Sequence, residues 1–103
     1  MRARDELKLI PVDNVLCFIA ELKYTTLRHT GGEELIEEPL KALEDEFAGS
    51  FIRIHRNSLV ALAQIECLER DGDGYQVVRL RNGAGTLAVS RRLAAEVARK
   101  LKK

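Results

Sequence analysis

Tryptophan is absent, methionine occurs once, proline and cysteine twice each, and aromatic residues make up only 5% of the 103-residue chain. Each scarcity narrows the possibilities. Modules that bind single-stranded nucleic acid stack bases on exposed rings. Here Phe18, Phe47 and Phe51 fall in apolar patterns that read as core, leaving only Tyr24 and Tyr75 for stacking. Cys17 and Cys67 lie far apart in strand-like apolar stretches, the pattern of buried thiols in a reducing compartment, so no disulfide is expected. Together with His29 and His55 they supply four potential metal ligands but no close pair of the C-x-x-C or H-x-x-x-H kind, and no metal site is expected. No apolar run reaches eighteen residues and no signal-peptide pattern opens the chain, so nothing points to a membrane or to export, and a cytoplasmic protein is expected.

What is present describes one small soluble domain spanning 1–103, with 46% apolar and 32% charged residues. A net charge of +1 argues at first against a nucleic-acid partner. Its distribution argues the other way. Residues 33–50 carry seven acids against Lys41 alone, whereas residues 79–103 carry eight bases against Glu96 alone. Such segregation suits a basic face for phosphates with an acidic face turned away, although solvated helices give similar counts.

The turn signals divide the chain into short strands. Leu7–Ile10, Val15–Glu21 and Thr26–His29 read as strands, followed by a Gly31-Gly32 turn and a strand near Glu34–Ile36. Pro39–Phe47 reads as a helix with an apolar stripe of Leu40, Leu43 and Phe47, ended by Gly49. Further strands are expected at Gln64–Glu69, Tyr75–Leu80 and Thr86–Val89. Asp71–Gly74 and the hairpin pair Asn82-Gly83 separate them. Ser90 can cap a closing helix, Arg91–Leu101, with its stripe of Leu93, Ala94, Val97 and Leu101. The class is therefore mainly β, with one short internal helix and one C-terminal helix.

No enzymatic constellation survives inspection. His55 has no Ser or Cys partner in a nucleophilic arrangement. Asp71-Gly72-Asp73-Gly74 opens like a calcium loop but lacks the later acidic ligand and flanking helices. Gly83-Ala84-Gly85 lacks the strand-to-helix setting of a phosphate cradle. No cofactor is expected.

The most informative stretch is F-I-R-I-H-R-N-S-L-V, residues 51–60. Phe51, Arg53 and His55 fall on one strand face and Ile52 and Ile54 on the other. The strand then ends on His55-Arg56-Asn57, donors suited to phosphate oxygens and base edges, where the plain alternative is a polar turn. Together with Ile65, this pattern resembles the core signature of the LytTR family, DNA-binding output domains of bacterial response regulators. The early strand running into Lys23-Tyr24-Thr25-Thr26 and the V-S-R element at Val89-Ser90-Arg91 extend the resemblance over about residues 7–100.

The resemblance implies an elongated arrangement of small antiparallel sheets and no catalysis. It implies double-stranded DNA read in major grooves by three loops, with base contacts falling at Thr25, Arg56 and Arg92. Around these, Lys23 suits a phosphate, Tyr24 a sugar or simple surface, and His55, Asn57 and Arg91 complete the expected DNA-binding set. Asn57 stands where the family usually has Ser. Also implied are promoter repeats bound by a homodimer, transcription regulation in a two-component system, and a receiver domain N-terminal to this segment. Met1 running directly into domain sequence fits a fragment of such a regulator. The alternative from a different class is a protein-interaction β module whose basic end meets an acidic partner.

Overall fold

The computed structural model describes residues 10–101. The expected strand Leu7–Ile10 lies outside the described residues except for Ile10, and so do Lys102 and Lys103. Eight strands form in order: β1 (Val15–Ala20), β2 (Thr25–His29), β3 (Gly32–Ile36), β4 (Phe51–His55), β5 (Ser58–Ala61), β6 (Ile65–Arg70), β7 (Gln76–Leu80) and β8 (Thr86–Ala88). Helix α1 (Leu40–Glu46) separates β3 from β4, and α2 (Arg91–Leu101) closes the chain. All strand pairings are antiparallel, in a five-stranded sheet ordered β3-β2-β1-β5-β4 and a three-stranded sheet ordered β6-β7-β8. The molecule measures 40 × 27 × 25 Å, elongated as expected.

The inner strands of the five-stranded sheet are buried on both faces, while the edge strand β3 is largely exposed. That accounts for β1 reading as a continuous apolar run rather than an alternating one. On one face Phe18, Leu27, Phe51 and Leu59 meet Leu40 and Leu43 of α1. Phe18, Phe47 and Phe51 lie with ring centroids 5.3 to 6.2 Å apart, a spacing that favours aromatic pairs. On the other face Cys17, Ile52, Ile54 and Val60 meet Ile65, Val78 and Leu80 of the second sheet and Val97 of α2. A register irregularity between Val15 and Cys17 puts the consecutive Leu16 and Cys17 into one layer, so that Val15 and Phe18 both face the other.

The helices obey their patterns. Leu40 and Leu43 are buried beneath α1, and Val97 is fully buried beneath α2. The Asn82-Gly83 hairpin forms with both residues left-handed (φ 59° and 70°), but the connection is longer than two residues: Leu80 N–H donates to Gly85 O at 2.8 Å. Cys17 is buried and Cys67 only half-buried, and both are free thiols. Burial pushes the Cys17 thiol up, partly opposed by the Arg28 guanidinium.

Candidate nucleic-acid interface

In the five-stranded sheet, β1 runs antiparallel to both β2 and β5, so the β1–β2 and β4–β5 connections emerge at the same end. Two backbone hydrogen bonds tie this end together. Ala20 N–H donates to Asn57 O at 2.8 Å, fastening the exit of β1 to the Arg56-Asn57 turn. Ser90 N–H donates to Ile54 O at 2.8 Å, fastening the entry of α2 beside the same turn. Three polar segments far apart in sequence, 21–24, 55–57 and 90–92, thereby form one surface.

Most of the expected residues gather there. Arg56, Asn57, Arg91, Arg92 and Lys23 are exposed. Among the described residues, no ion pair engages Lys23, Arg56, Arg91 or Arg92. A groove of about 330 Å³ is lined by His55, Arg56, Ser90 and Arg92. The irregular register between Arg53 and His55 lets the ring reach this groove, although Phe51 and Arg53 belong to the α1 face. His55 Nδ1 is buried and has no hydrogen-bond partner. Ser90 performs its capping role, its Oγ accepting from Leu93 N–H at 3.3 Å. The first turn of α2 offers backbone N–H groups and a partial positive charge at the same surface.

Thr25 departs from expectation. It begins β2, is only 4% exposed, and donates its hydroxyl to Glu38 O at 2.7 Å. The hydroxyl serves the fold, and almost all of the side chain is covered. His29, at the end of β2, is also held: its Nε2 lies 3.1 Å from Glu34, and its Nδ1 accepts from Gly31 N–H at 3.1 Å. The seven acids of residues 33–50 are spread over three places, with Glu33 and Glu34 on β3, Glu37 and Glu38 in the connection that follows it, and Glu44, Asp45 and Glu46 in α1.

Two features escaped the sequence reading. Arg53 buttresses the turn, donating from Nη1 to Arg56 O at 2.9 Å and from Nη2 to Glu44 Oε1 at 3.1 Å. The F-x-R spacing carried that signal, since it aims the guanidinium along the face shared with α1. Leu22 projects fully into solvent from the first segment, whose own turn is closed by Glu21 N–H to Tyr24 O at 2.9 Å. Away from this end, Arg79 holds its proton above the usual range because it hydrogen-bonds Glu69 at 2.6 Å. Among the described residues there is no cluster of potential metal ligands, and no helix is long and apolar enough to cross a membrane.

Residues 5–102 match the family model of the LytTr DNA-binding domain. Over 99 residues, 95% of the chain, the sequence is 52% identical to the positive alginate biosynthesis regulatory protein of Pseudomonas aeruginosa, and the chain spans 40% of that protein's length. Among solved structures, the fold matches the LytTr DNA-binding domain of a methyl-accepting/DNA response regulator from Bacillus cereus with a TM-score of 0.81. The match covers 91% of this chain and 86% of the other at 23% identity.

Proposed function

The chain belongs to the LytTr DNA-binding domain family, and from that premise we propose that the surface formed by segments 21–24, 55–57 and 90–92 is the one that meets duplex DNA. Arg56 leads. Its guanidinium stands exposed on a turn fixed from three directions, by Ala20, by Ser90 through Ile54, and by Arg53. A fork so placed suits guanine O6 and N7 in the major groove. Arg92 is the second base-reading fork, while Arg91 and Lys23 suit phosphates. Asn57, His55 and Tyr24 line the approach, and the N–H groups opening α2 receive a phosphate beside them. Thr25 supports β2 and takes no part in reading.

The observation that carries this reading is that, among the described residues, four cations gathered at one end have no ion-pair partners, where two backbone hydrogen bonds hold three segments together. Unpaired cations can be neutralised by phosphates, with release of counterions. One domain reads one half-site, and two copies occupy successive major grooves about one helical turn apart. In the longer protein, a receiver domain precedes this one and the output is transcription regulation; the 52% identical relative is named as a positive regulator of alginate biosynthesis, and a related role is proposed here.

The test is a titration of random duplexes at two salt concentrations, followed by sequencing of the bound fraction. An enriched motif with a steep salt slope is the expected result. Weak binding without enrichment would transfer the surface to an acidic protein partner.

A further inference from the structure

Leu22 is 105% exposed, more than any other large apolar residue among those described; Val12, Leu35 and Tyr75 are between 40% and 61% exposed. Single exposed leucines are ordinary on protein surfaces. This one differs in its setting. It sits in a four-residue turn closed by the Glu21 N–H to Tyr24 O bond, beside exposed Lys23. The strand that delivers it is anchored by the Ala20 N–H to Asn57 O bond, which also fixes the Arg56 turn. An isobutyl group is thus held out, fully exposed, from the same surface as Lys23, Arg56, Arg91 and Arg92.

We propose that Leu22 is a specificity-determining residue that reads the C5-methyl group of thymine in the major groove. The inference rests on the DNA-binding reading above. Thymine is the only base that offers an apolar methyl in that groove, and small apolar side chains recognise it by contact. In water the leucine side chain gains nothing from its exposure; against a methyl it removes apolar surface from solvent. The first segment therefore contributes sequence information through Leu22, while the buried Thr25 that follows it supports β2.

The test replaces each thymine of the enriched site by deoxyuridine, one at a time, and measures affinity for the 103-residue chain and for Leu22→Ala. Deoxyuridine keeps every base-pairing and hydrogen-bonding atom and deletes only the methyl. The expected result is a loss of about fourfold at one thymine for the unmodified chain, the scale of one buried methyl group. Leu22→Ala should lose about as much on the thymine duplex and show no further loss on deoxyuridine. Leu22 packs against nothing, so this variant should unfold like the parent in urea. If no single replacement weakens binding, or if Leu22→Ala remains equally sensitive, the proposal is wrong while DNA recognition by Arg56 stands. If neither protein selects any sequence, the DNA-binding reading falls and takes this inference with it.

Discussion

Where the β1–β2 and β4–β5 connections emerge, Lys23, Arg56, Arg91 and Arg92 have no ion-pair partners among the described residues, whereas around β3 and α1 the cations are matched. There Arg28 pairs with Glu33 at 3.6 Å, Lys41 with Asp45 at 3.4 Å and Arg53 with Glu44 at 3.1 Å. Both regions are rich in charge, and the difference lies in how the charge is used. Paired charges at a half-exposed surface contribute little to stability. Unpaired cations of one sign repel one another and are best explained by a polyanionic partner that neutralises them. Arg53 links the regions, neutralised by α1 on one side and supporting the Arg56 carbonyl on the other.

That contrast can be broken from either side, and the largest effect expected is structural. Leu43→Ala removes a fully buried side chain that anchors α1 in the core, and should lower stability by about 2–5 kcal/mol in urea unfolding. Molecules that remain folded should keep their DNA affinity, because α1 supplies no side chain to the surface proposed to meet DNA. Next comes Arg56→Ala, which should leave stability nearly unchanged while costing about 1–3 kcal/mol of discrimination at one base pair, read by anisotropy on matched and mismatched duplexes. Arg91→Ala should instead weaken all duplexes alike and flatten the slope of log K against log salt by about one unit.

Smaller effects sharpen the same line. Thr25→Val deletes the hydroxyl that serves Glu38 O and should cost about 1 kcal/mol of stability without altering the selected sequence. Breaking the exposed Lys41–Asp45 pair with Asp45→Asn should shift stability by no more than about 0.5 kcal/mol and leave DNA binding as it was. A large DNA effect from Asp45→Asn would erase the distinction between the two regions.

Much of this was legible in the sequence because the informative signals are local. The strand ending on His55-Arg56-Asn57, the stripes of α1 and α2, the Ser90 cap and the left-handed Asn82-Gly83 pair each depend on residues within a few positions of one another. The features that were missed depend on partners distant in sequence. Thr25 is buried because the chain following β3 brings Glu38 O back to it, thirteen residues away. His29 is satisfied by Glu34 across the β2–β3 pairing. The meeting of Ser90 with Ile54, which joins the third segment to the second, spans 36 residues and requires α2 to return across the sheet. Leu22 was passed over for a different reason: an apolar residue in a polar turn has no periodicity to mark it.

The most direct test of the loop-end assignment is backbone amide chemical-shift mapping of the labelled chain on adding the selected duplex. The largest shifts should fall at Leu22–Tyr24, Arg56–Asn57 and Arg91–Leu93, with the β3 and α1 amides nearly still. Largest shifts on residues 33–46 would place DNA against the paired, acidic region and contradict the account.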